Sequence, residues 1–166
     1  MQYKTTSYDS LIKEFKQRKF TLNDIKSFVY KVFAMYERAT VGRELVPAEA
    51  FSELVASDIH VDFPDYKIRS REEFLEWHRW IHGLLLSDDH DIDKLEVLLL
   101  ANGKYEVRFK VRWRGEFKDG TYTDLKLEQR WILREEEQFE HPVIERYIAA
   151  IDDLMPGMTA AEADSE

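Results

Sequence analysis

Residues 105–134 read YEVRFKVRWRGEFKDGTYTDLKLEQRWILR. In the first part, Tyr105, Val107, Phe109, Val111 and Trp113 alternate with Glu106, Arg108, Lys110, Arg112 and Arg114. This is the two-residue repeat of a strand with one face buried and one face wet. Beyond Asp119-Gly120 the pattern resumes, and Leu125, Leu127, Trp131 and Leu133 fall on one face together with Gln129. Opposed residues of an antiparallel pair point to the same side of a sheet. Because the inward positions of both runs are odd-numbered, each opposed pair must sum to an even number. A two-residue Asp-Gly loop pairs Lys118 with Thr121 and turns one strand inside out. The hairpin therefore needs an odd connection, either Lys118-Asp119-Gly120 with Gly120 left-handed or a bulge near Gly115.

Working outward, a strand begins at His90 and ends at Asn102-Gly103, and PVIERYIAAI (142–151) supplies a last strand after the acidic turn 135–140. The N-terminal half has a different period. TLNDIKSFVYKVFAMYERA sets Leu22, Ile25, Phe28, Val29, Val32, Phe33 and Tyr36 at three- and four-residue steps. That spacing predicts a helix over 21–39, opened by Thr21 with Asp24 in the first turn. A short helix within 8–20 and a second one starting at Pro47 accompany it. Ile59, Val61 and Phe63 alternate with Asp58, His60 and Asp62, which predicts a strand at 58–63 stopped by Pro64. Ser70 and Glu73 form a capping box for a third helix, whose stripe is Phe74, Trp77, His78, Ile81 and Leu85 and which ends near 83–87. The fold class is α+β, a curved antiparallel sheet packed against three or four N-terminal helices. Residues 1–20 form an N-terminal extension, 21–150 the domain, and 151–166 an acidic tail expected to be disordered.

Composition narrows the function classes. The chain has 166 residues, a net charge of −9 and no cysteine. Five of the excess acids, Asp152, Asp153, Glu162, Asp164 and Glu166, lie in the tail without a basic residue. Nothing here is the basic surface that a nucleic-acid binder carries. The longest apolar run is Val97–Ala101, far short of the roughly 20 residues that cross a bilayer. The opening MQYKTTSYDS has no apolar signal core. The expectation is a cytoplasmic protein with no membrane and no nucleic-acid partner.

The segments VDFPDYKIRSREEFLEWHRW, SDDHDIDKLEV, YEVRFKVRWRG, DGTYTDLKLEQRWIL and PVIERY together resemble the nuclear transport factor 2-like superfamily. They are most similar to its SnoaL-like branch, which includes polyketide cyclases and relatives of ketosteroid isomerase. The resemblance spans about residues 21–150, and its strongest parts are the strand–Phe-Pro–helix step and the Gln-x-Trp-x-Leu strand. It implies an open cone with cystatin-like topology, a pocket closed by helices, no cofactor, and a homodimer formed through the sheet. The superfamily mixes enzymes with binding modules, so the fold alone does not transmit an activity.

Gln129 is the most informative residue, because an amide between Leu127 and Trp131 on an apolar face must find partners there. One reading is a pocket hydrogen bond to ligand; the other is a structural amide. His78 and His82, four residues apart on one helix face, have the spacing of a metal pair, with His90 or His60 as a third ligand. Arg79 stands where a metalloprotease helix carries glutamate, so no metal is assigned. His78, on the inward stripe, is a candidate general acid or base, or else a hydrogen-bonded histidine at the core edge. His90 is a second catalytic candidate; it either lines the mouth of the cone or fixes the turn after Ser87-Asp88-Asp89. Alternation turns Asp62 away from the apolar side, so the acid–base pair of the steroid-isomerase relatives is not carried over. Tyr36, Trp77, Phe109, Trp113, Trp131 and Tyr147 are expected as ligand-binding walls, with ordinary core packing as the alternative. The row Arg108, Lys110, Arg112 and Arg114 reads as a dimer face or a solvated face. Two functions follow. The first is a small-molecule pocket protein, as an enzyme a cofactor-independent lyase, isomerase or cyclase working by proton transfer. The second is a non-catalytic binding or dimerisation module.

Overall fold

The computed structural model describes residues 8–41 and 46–153. Helix α1 spans Tyr8–Phe15 and α2 spans Leu22–Val41; a 3₁₀ turn at Ala48–Leu54 leads into β1 (Val55–Phe63). Strand β2 (Tyr66–Ile68), helix α3 (Arg71–Leu84) and strands β3 (Leu85–Leu99), β4 (Tyr105–Phe117), β5 (Tyr122–Arg134) and β6 (Val143–Asp153) complete the chain. Residues 151–153 therefore belong to a strand, and the remaining acidic tail lies outside the described residues, as do residues 1–7. Among the described residues no helix is long and apolar enough to cross a membrane.

Local chemistry accounts for the helix boundaries. The Asp24 N–H donates to Thr21 Oγ1 at 3.1 Å while the Thr21 N–H donates to Asp24 Oδ2 at 2.9 Å, a reciprocal cap. Ser70 Oγ accepts the Glu73 N–H at 3.2 Å, and Glu73 Oε2 accepts the Arg69 N–H at 3.0 Å. The stripe of α2 (Ile25, Phe28, Val29, Val32, Phe33 and Tyr36) is buried throughout. The short helix expected after Pro47 is present in 3₁₀ form over Ala48–Leu54, and it buries Phe51 and Leu54.

The sheet order is β2-β1-β6-β5-β4-β3. Strand β1 runs parallel to β6, so the sheet is mixed where alternation suggested a purely antiparallel one. Alternation reports which face is buried and is silent on strand direction. The β4–β5 register pairs Phe109 with Gln129, Val111 with Leu127 and Glu116 with Tyr122, all even sums. The Phe117 N–H donates to Thr121 O at 2.8 Å around Lys118-Asp119-Gly120, and Gly120 has φ +91°. The odd hairpin loop demanded by parity is thus present. Strand β3 starts earlier than expected. It runs straight on from α3 through Ser87-Asp88-Asp89, with a register shift between Leu85 and Ser87.

On the outer face the basic row is neutralised within the chain. Arg108 pairs with Glu106, Lys110 with Asp152, Arg112 with Asp124, and Arg114 with Asp89. The inner face curves around α2 and α3, and the space between them is the site.

Candidate active site

A cavity of about 250 Å³ opens between the inner sheet face and the two long helices. Helix α2 contributes Phe33 and Tyr36; α3 contributes Trp77, Trp80, Ile81 and His82. The turn between β1 and β2 brings Pro64, Asp65 and Tyr66 to the mouth. The sheet supplies Asp88, His90, Trp113, Gln129 and Tyr147 among apolar neighbours. An apolar hollow with a few convergent polar groups is the usual form of a small-molecule site.

The polar groups fall into two sets. In the first, His82 and His90 flank Asp88. His82 Nδ1 lies 2.9 Å from His78 O, and a carbonyl only accepts, so Nδ1 carries the hydrogen. Neutral His82 therefore presents a lone pair at Nε2, which lies 3.8 Å from Asp88 Oδ2. His90 is fixed in the same way from the other side. Its Nδ1 donates to Glu37 Oε2 at 3.1 Å, and its backbone N–H donates to the same oxygen at 2.8 Å. His90 Nε2 lies 3.9 Å from Asp88 Oδ1. The side chains of His82, Asp88 and His90 are 8%, 3% and 9% exposed. Trp113 Nε1 donates to Asp88 Oδ1 and holds the carboxylate in place. Among the described residues no group of three or more such side chains is spaced to hold a metal ion.

The second set is a pair of tyrosines. Tyr36 is 3% exposed, and its hydroxyl has no hydrogen-bond partner of ordinary geometry. Burial raises its pKa well above the usual tyrosine value, and the neighbouring Tyr147 hydroxyl adds to the effect. Burial also raises Tyr147, with the negative charge of Asp88 contributing, while interactions with Tyr36 and Gln129 oppose the shift. Both hydroxyls thus stay protonated donors at neutral pH, close enough to Asp88 to feel its charge. Gln129 Oε1 accepts Trp131 Nε1–H at 3.0 Å in the buried floor.

Of the residues singled out from sequence, His90, Gln129, Trp77, Trp113, Tyr36 and Tyr147 line the cavity. His78, Phe109 and Trp131 do not. His78 is buried against Phe51, with ring centroids 4.2 Å apart, and against His82 at 4.0 Å. Its Nδ1 has no partner, and burial, reinforced by His82 and Arg79, lowers its pKa to about 3. One turn further along α3, His82 reaches the cavity in its place. Trp131, fully buried, packs on Tyr147 at 4.6 Å and on Phe33 at 5.5 Å, so it supports the floor from below. Phe109 lies edge-on to Trp131 at 5.4 Å in the same layer. Asp62 faces away and is held by Arg69 at 2.9 Å and Lys67 at 3.3 Å.

Sequence reading missed Glu37 and Asp88. Glu37 follows Phe33 by four residues, so helical spacing already placed it beside the inward stripe. Asp88 was read as part of a turn, whereas the strand continues through it and turns it inward.

No family model and no curated protein matches the chain. Solved structures do. A candidate scytalone dehydratase from Novosphingobium aromaticivorans superposes with a TM-score of 0.68 at 11% identity, covering 79% of this chain and 83% of that one. A candidate dehydratase of the NTF2-like family from Streptomyces avermitilis gives 0.66 at 11% identity, over 80% and 97% of the two chains. An uncharacterised protein with a cystatin-like fold from Caulobacter vibrioides gives 0.63 at 12% identity, over 87% and 94%. The mixed curved sheet, the helices closing its concave side and these superpositions agree: the chain has the fold of the nuclear transport factor 2-like superfamily, in its cystatin-like cone form.

Proposed function

We propose that this protein binds a small, mostly apolar molecule in the cone and acts on it as a cofactor-independent lyase of the dehydratase kind. The observation that carries this reading is the pair of imidazoles, His82 and His90, each with Nδ1–H tied back so that Nε2 faces the cavity beside Asp88. General acid–base chemistry needs a proton acceptor and a proton donor within reach of one substrate. One ring enters neutral and removes the proton from the carbon next to a carbonyl. The other enters protonated and delivers its proton to the departing hydroxyl, so that water leaves and a carbon–carbon double bond forms. The two rings finish with their protonation states exchanged. The hydroxyls of Tyr36 and Tyr147 donate to the carbonyl oxygen, where negative charge gathers as the C–H bond breaks. Apolar walls keep bulk water away. The folds named as candidate dehydratases support the same reaction class.

The test is a panel of neutral cyclic β-hydroxyketones followed by the rise of enone absorbance, with His82→Ala and His90→Ala beside wild type. The reading expects turnover of at least one member and its loss in both variants. Compounds that bind without turnover would return the protein to a non-catalytic binding module. We further propose a homodimer formed through the outer sheet face, where rows of charge favour a polar contact of moderate affinity; sedimentation showing only monomer at high micromolar concentration would refute it.

A further inference from the structure

The cavity has a one-sided charge. Among the described residues that line it are Asp65 at the mouth and Asp88 in the depth, with no lysine or arginine, although the chain carries 24 Lys and Arg. Asp88 is 3% exposed in its side chain, and its anchor is the neutral donor Trp113 Nε1. The imidazoles on either side stand beyond hydrogen-bond distance, at 3.8 and 3.9 Å. With one ring protonated the pair of Asp88 and imidazole is neutral, and Glu37 behind His90 together with Asp65 at the mouth still leaves the site negative. The walls are rich in aromatic rings, with Tyr36, Trp77, Trp80 and Trp113 among the lining residues. Aromatic faces attract cations and repel anions.

Resting on the proposal that the cone binds a small apolar molecule, we infer that Asp88 is a charge filter that sets the ligand class: neutral or amine-bearing aromatic and alicyclic molecules enter, and carboxylates and phosphates are rejected. The tyrosine hydroxyls do not reverse this, because they donate equally well to a neutral carbonyl oxygen. What separates the classes is the net negative charge that Asp88 and Glu37 leave over one imidazolium in a partly dry site, where two unit charges about 6 Å apart change affinity by about 100-fold at an effective dielectric of ~20. The filter belongs to Asp88 rather than Asp65, because Asp65 is exposed at the rim and screened by solvent.

The experiment uses matched probes on one ring system: 2-naphthylmethylamine, 2-naphthylmethanol and 2-naphthoic acid, titrated calorimetrically at pH 7.5 against the full chain. Wild type should prefer the amine over the alcohol and the alcohol over the acid, each by up to about 100-fold. Asp88→Asn keeps an oxygen for Trp113 Nε1–H and should compress the amine-to-acid ratio at least tenfold by weakening the amine and strengthening the acid. Acid binding within threefold of the alcohol in wild type overturns the inference and leaves the pocket reading standing. An unchanged ratio in a folded Asp88→Asn overturns the role of Asp88. Should Asp88→Asn not fold, the order of the three probes on wild type decides alone. Failure of all three probes to bind, extended to the corresponding benzyl compounds, overturns the pocket reading and the filter with it.

Discussion

Glu37 and His90, 53 residues apart in sequence, meet through one carboxylate oxygen that accepts both the backbone N–H and the ring Nδ1–H of the histidine. This contact fixes where His90 sits and which nitrogen is free. With Nδ1–H committed to Glu37, the neutral ring has its lone pair on Nε2, inside the cavity. A base role for His90 therefore depends on a residue at the far end of α2 that itself touches no ligand space.

That dependence can be read without a substrate. Ring nitrogen shifts measured above pH 8 should show His90 as the Nδ1–H tautomer in wild type. In Glu37→Ala they should move toward the Nε2–H form, with a stability loss of about 1–2 kcal/mol for the bonds removed. A wild-type ring already protonated at Nε2 would take the base role away from His90.

Gln129 carries a second test. Replacing it with Leu leaves Trp131 Nε1–H without an acceptor in a fully buried layer. A buried donor stripped of its partner costs about 1–3 kcal/mol. Gln129→Leu should thus lower the melting temperature, and Gln129→Glu, which keeps the acceptor, should recover part of the loss by that bond while adding a buried charge. A Leu variant as stable as wild type would show that the Trp131 bond contributes nothing. It would leave Gln129 with a role toward ligand alone.

The fold was largely legible because its signals are periodic. The parity of Val107, Phe109, Leu127 and Gln129 required an odd loop or a bulge near Gly115, and the chain has the loop, at Lys118-Asp119-Gly120. The site was half legible, for a physical reason. Single aromatic and amide residues on an apolar face reveal themselves by contrast, which is how Gln129, Tyr36, Trp113 and Tyr147 could be found. His78 and His82 share one helical face, and periodicity cannot say which of the two is roofed by Phe51 and which reaches the cavity. Asp88 lies in the acidic run Asp88-Asp89-His90-Asp91, and Glu37 stands beside Arg38 at the edge of the inward stripe. Only the pairing of α2 with β3, a tertiary fact, distinguishes them from solvated neighbours.

Tyr36 offers the reverse of the Gln129 experiment. Its hydroxyl is buried without a good partner, so the folded state bears a desolvation cost that a ligand oxygen would offset. Tyr36→Phe keeps the ring stacked on Phe51 at 5.3 Å and should hold or raise stability by up to about 1 kcal/mol. The same change should weaken binding of ketones more than binding of the matching hydrocarbons. A clear loss of stability on removing this hydroxyl would mean that it is bonded inside the protein and is not held for a ligand.

His78 gives a pH dependence whose sign follows from its burial. In the fold its pKa is lowered to about 3, while the unfolded chain titrates near the ordinary value of 6.5. Between those values the unfolded state binds more protons than the folded state. Stability therefore rises with pH across the window, is complete above about 6.5, and is lost as pH falls toward 3, with a slope of up to about 1.4 kcal/mol per pH unit. The carboxyls of Asp62, Asp119 and Asp124, held low mainly by hydrogen bonds to Arg69, Thr121 and Arg112, lose their contributions only at lower pH. The interval from 6.5 to 4.5 is consequently the one to measure. His78→Phe removes the titrating ring and its unpartnered Nδ1 and retains an aromatic against Phe51. Urea unfolding of this variant should show a flatter pH profile over that interval than wild type, with equal or greater stability at pH 5. Parallel profiles for the two proteins would mean that His78 gains a proton without leaving the fold, and that the packing of Phe51 and His82 around it opens to water.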